Sequence, residues 1–249
     1  MTAPVLVLVM PLTATGQATI AAHRLRQRLA REHPHVETAI SFAGSQTAPA
    51  TLPEPKPDWS EVVLVPVDLT HLKEPPESVR ALAELLSASH PDLAVRISRP
   101  LGPAPALLGV IDDRMRMATH RAHTQEIDAL VLSSPDAGDR RGSTMLSRMS
   151  RMWSQHHHIP VRQASGSSGA LHVAEVVHSL RREGRRHVAV GSLWVSISPE
   201  SHEHDLAALE AGAEVVSAPI GDDVLLAQWA FERYCSAAMG SVAEDPGED

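Results

Sequence analysis

The sequence holds fifteen histidines and a single cysteine, Cys235, and these counts limit the metal chemistry open to it. A lone cysteine forms neither an internal disulfide nor a thiolate zinc cage. Any metal ion would therefore be held by imidazoles and carboxylates, which suit divalent metals. A neutral imidazole with a pKa near 6.5 binds a metal ion and also accepts a proton. The histidine-bearing stretches are thus the first candidates for a site.

Several histidines are grouped along the chain. His156–His158 form a run at a predicted helix end, where imidazoles complement the helix dipole. His120 and His123 are spaced for one helix face but lack the HExxH order of zinc proteases. His202 and His204 lie in "SPESHEHDL", which reads as a helix start, and residues two apart do not share a helix face. Each group therefore also has a purely structural interpretation.

The elements that would position these side chains alternate between strand and helix. Residues 5–9 form a continuous apolar run, typical of a strand buried on both faces of a parallel sheet. The helix predicted over residues 17–32 keeps its apolar residues near one side. Residues 44–57 are rich in proline and small polar residues, which predicts a loop. Similar units follow to the end, among them a strand over residues 61–69, an apolar strand within "IDALVLSSPDAG" and a helix over residues 143–157. The sequence therefore predicts an α/β fold.

The two halves of the sequence resemble each other. "PLGPAPALLGVIDDRM" begins at Pro100 and "PIGDDVLLAQWAFERY" begins at Pro219, an offset of 119 residues. This repeat predicts two homologous lobes, each a doubly wound parallel sheet, over residues 1–123 and 124–240, with an acidic tail at 241–249. Ligands of such sheets bind outside the carboxyl ends of the strands. We therefore expect the site in a cleft lined by those ends.

Charge and composition exclude several classes of protein. The chain has 22 Lys and Arg against 30 Asp and Glu, a formal net charge of -8, which argues against nucleic acid as a partner. No apolar run has the roughly 20 residues needed to cross a membrane, and no signal peptide is recognisable, so a cytoplasmic protein is expected. GxGxxG and P-loop motifs are missing from the sequence, so no organic cofactor is expected.

The segment "VPVDLTH", a helix and then "RPLGPAPAL" resemble the class II chelatases of the sirohydrochlorin type, the CbiX and SirB group, over nearly the whole chain. In that family two histidines bind the metal and accept pyrrole protons. The resemblance makes His71 the second of them and puts Glu74 in place of the family's acid. It implies an enzyme that inserts divalent iron or cobalt, its metal substrate, into a sirohydrochlorin-type tetrapyrrole. Such a lyase would belong to cobalamin or siroheme biosynthesis.

The sequence departs from the family at the end of the first strand, where Pro11 stands in place of the first histidine. Proline has no side-chain lone pair to offer a metal. The corresponding turn of the second half has Ser134 and Pro135, with Asp136 beside them. His202 and His204 follow the second-half strand that corresponds to the one before His71. We therefore expect His202 and His204 to serve, with His71, as metal ligands.

A sirohydrochlorin-like ligand carries many carboxylates, so its site should offer cationic side chains and helix N-termini. Lys73, Arg140 and Arg141 lie in turns that follow predicted strands and are the expected binding residues for this substrate.

Two alternatives stay open. The first is a tetrapyrrole- or metal-binding carrier protein that kept the fold and lost catalysis, which Pro11 favours. The second is an α/β protein that binds a phosphorylated metabolite through the turn at Thr13, Thr15 and Gly16, ahead of a helix.

Overall fold

The computed structural model describes residues 3–11, 16–44, 50–124, 126–136, 138–166 and 170–240. Within these residues the chain forms two four-stranded sheets with helices packed against them. All the strand pairs within the sheets are parallel. The predicted α/β class with two doubly wound lobes is therefore confirmed.

The first sheet has the strand order β2-β1-β3-β4. Every residue of β1 is buried, as the continuous apolar run predicts. Val7 pairs with Ala39 on one side and with Leu64 on the other, so β1 is an interior strand. The elements of this half are β1 (Val5–Met10), α1 (Gly16–Glu32), β2 (Thr38–Phe42), β3 (Glu61–Pro66), α2 (Glu77–Ser89), β4 (Ala94–Ile97) and α3 (Ala106–Ala122).

The second sheet repeats this order as β6-β5-β7-β8. Val131 of the interior strand β5 pairs with Arg162 and with Val190. Its core is made of valines and alanines that include Val173, Val177 and Ala208. The elements of this half are β5 (Ala129–Ser134), α4 (Arg140–His157), β6 (Val161–Ser165), α5 (Ala170–Arg182), β7 (Val188–Ser192), α6 (Pro199–Glu210), β8 (Val215–Val216) and α7 (Val224–Ala238).

The two compact units of the structure do not coincide with the two repeats of the sequence. Among the described residues, those within 1–68, 74–101 and 222–249 form unit 1, and those within 69–73 and 102–221 form unit 2. Helix α3 follows β4 along the chain but packs on β7 and β8, whereas α7 follows β8 but packs on β3 and β4. Each unit is thus completed by the last helix of the other repeat. The boundary between residues 123 and 124 stays a prediction about the repeat.

The last helix of the first repeat is held in unit 2 by its apolar residues. Ile111 of α3 is fully buried, and a Cβ built on Gly191 of β7 would lie 2.7 Å from the Ile111 side chain and 2.4 Å from the Trp153 ring. The glycine therefore allows the helix and the tryptophan to pack closely on the strand.

Among the described helices, none combines the length and the apolar character that crossing a bilayer requires. The predicted acidic tail at residues 241–249 lies outside the described residues.

Candidate metal centre

The segment that carries His71 follows β3, which ends at Pro66. Asp68 is assigned to unit 1, and the next five residues, 69–73, are assigned to unit 2. The neighbouring strands β1 and β3 lie at the point of a doubly wound sheet where the strand order reverses, and ligands bind at the carboxyl ends of such strands. The His71 loop, residues 69–73, therefore begins at the expected end of the sheet.

The backbone of the His71 loop lies directly against the turn before α4. A Cβ built on Gly138 would lie 1.9 Å from the Thr70 carbonyl oxygen, and one built on Gly142 would lie 1.8 Å from it. Gly138 also has a φ of +71°, in the left-handed region that glycine adopts without strain. Because only glycine permits this approach, the two residues determine where the His71 loop lies.

The side chain of Asp139 joins the same loop to helix α4. Its Oδ1 accepts a hydrogen bond from the Gly142 backbone N–H at 2.6 Å and so caps the helix. Its Oδ2 accepts from the backbone N–H groups of Leu72 at 3.2 Å and Lys73 at 2.8 Å. One carboxylate therefore satisfies backbone donors from both the helix start and the loop.

Three potential metal ligands meet beside this junction. One ligand atom from each of Asp68, His71 and Asp136 lies within 4.8 Å of the other two. Asp136 follows β5, and its Oδ1 also accepts a hydrogen bond from the Gly138 N–H at 2.7 Å. Thr70 Oγ1 lies 3.3 Å from His71 Nδ1. We call these three residues the His71 site.

The donor set of the His71 site suits a divalent cation. Asp68 is only 4% exposed, whereas His71 and Asp136 are partly exposed, so the cluster has one buried and two accessible ligands. One imidazole and two carboxylates fit iron, cobalt, manganese or zinc and do not select among them. A neutral imidazole such as that of His71 can bind a metal ion or accept a proton.

The predicted cationic residues surround the same junction. Lys73 is exposed, and its backbone N–H binds the Asp139 carboxylate. Arg140 and Arg141 are exposed and are the first two residues of α4. A helix dipole disfavours cations at its N-terminus, so the dipole does not account for these arginines. Glu74, the residue after Lys73, is also exposed.

The two predicted ligands on α6 have different environments. His202 is exposed, whereas His204 is 1% exposed and its Nδ1 lies 3.1 Å from Ser133 Oγ. The indole N–H of Trp194 donates to the same hydroxyl at 3.1 Å. Burial, with a smaller effect from His172, lowers the pKa of His204 to about 4, so its ring is neutral at physiological pH. In the described part of the chain, neither histidine belongs to a group of three possible ligands, and their role as ligands stays a prediction.

The residues at the end of β1 provide no metal ligand among those described. Pro11 is partly exposed and has no side-chain donor atom. Thr13 and Thr15, on which the phosphate-binding alternative depends, lie outside the described residues, and Gly16 is the first residue of α1.

Sequence reasoning did not select Asp68 or Asp139 and named Asp136 only in passing. One signal for Asp68 was available, because it is a carboxylate placed just after a predicted buried strand, where ligands of parallel sheets bind. The glycines at 138 and 142 gave a weaker signal, since they flank Asp139 within the turn "GDRRGST". The meeting of Asp136 with His71 depends on the course of the loop and has no local signature.

Comparisons with known proteins give the fold. No family model and no curated protein sequence matches the chain. Among solved structures, the sirohydrochlorin chelatase SirB from Bacillus subtilis subspecies spizizenii in complex with cobalt has a TM-score of 0.66 and 13% identity, with 94% of each chain covered. SirB from Bacillus subtilis with Fe3+ has a TM-score of 0.64 and 13% identity, covering 94% of this chain and 96% of its own.

A third similar structure is CbiX, described as the terminal enzyme of siroheme biosynthesis in denitrifying bacteria. Its TM-score is 0.58 and its identity 16%, with 96% of this chain and 99% of that chain covered. The resemblance stated from the sequence is therefore confirmed at the level of the fold, and the chain has the architecture of the CbiX and SirB class II chelatases.

Proposed function

We propose that this protein is a class II chelatase-like enzyme that inserts divalent iron or cobalt into a sirohydrochlorin-type tetrapyrrole. The observation that carries the proposal is the meeting of His71, Asp68 and Asp136 within 4.8 Å, in a chain whose fold is that of structures named as sirohydrochlorin chelatases. An imidazole and two carboxylates offer both a metal site and groups that accept protons.

The reaction consumes a divalent metal ion and a macrocycle with two pyrrole N–H groups, and it releases the metallated macrocycle and two protons. In our proposal the His71 imidazole binds the incoming ion and then accepts a pyrrole proton as the metal moves to the macrocycle nitrogens. The carboxylate of Asp136 attracts the cation and takes part in removing the second proton. Glu74 lies three residues along the chain and passes protons on to solvent.

The same junction would hold the acidic substituents of the substrate. Lys73, Arg140 and Arg141 are all exposed near Asp139, and arginine binds carboxylates through paired hydrogen bonds. The N-terminus of α4 adds a favourable field for anions. Two arginines at a position that the helix dipole disfavours support a binding role for them.

Asp136 and Asp68 also suggest how the site works when position 11 is a proline and not the family's first histidine. The carboxylates would supply the negative charge and proton-accepting capacity that the resemblance assigns to the family's first histidine. His202 and His204 remain candidate ligands in the proposal, though the burial of His204 and its contact with Ser133 favour a structural role. The free Cys235 is consistent with a cytoplasmic location.

The carrier alternative is favoured by one observation, the proline at position 11. A protein that binds the macrocycle but lacks an efficient proton acceptor would hold it without metallating it. The phosphometabolite alternative has no described residue that supports it beyond Gly16 at the start of α1.

The test is an anaerobic absorbance assay of sirohydrochlorin with Co²⁺ or Fe²⁺. The wild type should metallate the macrocycle well above the rate without protein, and His71→Ala should lower the enzymatic rate by about 100-fold or more, as for loss of a general base. His178→Ala, which replaces an exposed histidine of α5, is the matched control and should leave the rate unchanged. If the wild type binds the macrocycle but metallates it no faster than the reaction without protein, the enzyme proposal is wrong and the carrier alternative is supported.

A further inference from the structure

A second group of possible metal ligands lies within unit 2, on helices α3 and α4. One ligand atom from each of Asp112, His156 and His157 lies within 4.8 Å of the other two. The two histidine rings are 4.8 Å apart between centroids and nearly perpendicular. We call these three residues the Asp112 site. Both histidines are exposed and Asp112 is partly exposed, so an ion would reach the group from solvent.

The carboxylate of this group is held in place by a buried tryptophan. The Trp153 indole N–H donates to Asp112 Oδ1 at 2.8 Å, and His157 Nε2 lies 2.9 Å from the same oxygen. Trp153 is 1% exposed, so its ring is fixed by the core of the unit. Groups that orient a ligand in this way raise metal affinity, because the ligand does not have to be ordered on binding.

The position of the histidines is not explained by the helix end alone. An imidazole near the last turn complements the helix dipole wherever it points, and His158 at the C-cap would do the same. His156 and His157 instead converge on a carboxylate from a different helix. That convergence of two imidazoles and a carboxylate is the ligand pattern of sites for zinc, cobalt, nickel or copper.

The surroundings leave room for an ion and further ligands. A cavity of about 350 Å³ is lined by the three ligands together with residues such as Met115, Thr119, Ile127 and Ile159. Arg116 also lines it, but its guanidinium is paired with Asp113, which weakens its repulsion of a cation. Donor atoms around an ion with bonds of about 2.0–2.2 Å lie nearer than 4.8 Å to one another, and an exposed His156 can rotate to close the gap.

We propose that Asp112, His156 and His157 form a second divalent-metal site, separate from the His71 site. Its three protein ligands leave coordination positions open toward the cavity, as in sites that exchange their ion or bind a further ligand. An ion bound at His157 Nε2 takes the place of the contact between that nitrogen and Asp112 Oδ1, with the proton of the neutral ring on Nδ1, while Asp112 stays held by Trp153.

The experiment is a titration of the full chain with Co²⁺, followed by visible absorption and equilibrium dialysis. The His71→Ala variant should retain one tightly bound equivalent, and adding His156→Ala and His157→Ala should remove it, with the dissociation constant rising by about 100-fold or more. His158→Asn is the matched control, because it is an exposed histidine of the same helix end and asparagine tolerates its left-handed backbone. It should leave binding unchanged.

A milder substitution separates loss of the ligand from loss of the fold. Asp112→Asn keeps an oxygen for the Trp153 indole but removes the charge, so it should weaken Co²⁺ binding in the His71→Ala background without altering the circular dichroism spectrum. Equal Co²⁺ binding by His71→Ala with and without the histidine substitutions would overturn the second site. Because every arm uses the His71→Ala background, the result does not depend on the proposed chelatase activity.

Discussion

The segments after β3 and after β7 occupy the same position in the two repeats and serve different purposes. After β3, the chain places Asp68 and His71 beside Asp136. After β7, residues 193–196 are all less than 5% exposed, and Trp194 and His204 are both hydrogen-bonded to Ser133 Oγ. The first segment therefore holds one buried and one partly exposed candidate ligand, whereas the second fills the core. A duplicated fold has here produced one polar site and one packed counterpart.

The difference also concerns how each segment is fixed. The His71 loop is held by contacts of its backbone with glycines and with the Asp139 carboxylate. The segment after β7 is held by its own side chains and leads into a capping box between Ser198 and Ser201 at the start of α6. A site tolerates exposed ligands where the backbone alone determines their position.

The largest effect should come from filling the contact between the His71 loop and α4. Gly142→Ala places a Cβ 1.8 Å from the Thr70 carbonyl oxygen, so the loop must move, and we expect a loss of about 3 kcal/mol in the free energy of unfolding together with loss of Co²⁺ at the His71 site. The matched control is Gly109→Ala in α3, whose Cβ meets nothing within 4 Å and should stabilise the helix by about 0.5–1 kcal/mol. Urea denaturation measures the free energy of unfolding of both variants. A Gly142→Ala variant with unchanged stability would contradict the proposed role of the glycine.

The contribution of the packed segment after β7 to the stability of the protein should depend on pH. The pKa of His204 is about 4 in the folded protein against an ordinary 6.5, so the unfolded state binds more protons between these values. The stability that the neutral ring contributes is present above about pH 6.5 and is lost as the pH falls toward 4. Burial raises the pKa of the neighbouring Asp205 from 3.8 to about 6, so its contribution changes in the opposite direction and is lost as the pH rises from 3.8 to 6.

These opposing contributions make a paired test. Between pH 6 and pH 4, His204→Asn should gain stability relative to the wild type, on the order of 2 kcal/mol, because only the Asp205 contribution remains. Asp205→Asn should lose stability over the same interval. Urea midpoints at pH 4.5 and 7 measure both slopes. Parallel profiles for the wild type and His204→Asn would show that His204 is not the neutral core residue described above.

Within the His71 site, the carboxylate from β5 can be tested without disturbing the backbone. Asp136→Asn keeps an oxygen for the Gly138 N–H but removes a charged ligand, and it should weaken the Co²⁺ equivalent that depends on His71 by about 10-fold or more. His178→Asn, at an exposed histidine of α5, should leave that affinity unchanged. Equilibrium dialysis against the wild type gives the comparison, and equal loss in both variants would show that the weaker binding does not come from the Asp136 carboxylate.

The smallest effect should come from removing either of two helix caps. Asp139→Ala removes the cap of α4 and the acceptor for two loop N–H groups, whereas Asp223 caps α7 through the Leu225 N–H. Losing a cap costs about 1 kcal/mol, so Asp223→Ala should lower the free energy of unfolding by that amount. Asp139→Ala should cost about 1 kcal/mol more. Thermal or urea unfolding measures the difference, and equal losses would mean that the loop does not depend on Asp139.

Much of the architecture could be predicted from the sequence, because hydrophobic periodicity is local. Apolar runs located β1 and β5, and helix α1 begins one residue before its predicted start. Helix α4 begins at Arg140, ahead of the predicted Ser143, because the Asp139 cap adds a turn. β3 ends at Pro66 rather than at the predicted residue 69, since the chain leaves the sheet there to pack against Gly138 and Gly142.

The site was predictable only in part. The resemblance selected His71, and the strand-end rule placed Lys73, Arg140 and Arg141, but the pairing of His71 with Asp136 depends on contacts between distant parts of the chain. The position of His204 after a strand predicts a ligand, a prediction that stays untested, whereas its burial beside Ser133 was not predicted. Spacing along the sequence does not reveal burial, which is why both residues needed the structure.

The exchange of helices α3 and α7 between the repeats bears on how the protein could be divided. A chain cut between residues 123 and 124 would give two fragments, each with a sheet that lacks one covering helix and with an apolar helix whose sheet is on the other fragment. Neither fragment would bury its own core, and burial of apolar surface is the main favourable term in folding. The two fragments are therefore expected to be insoluble when produced singly and to reassemble when produced together.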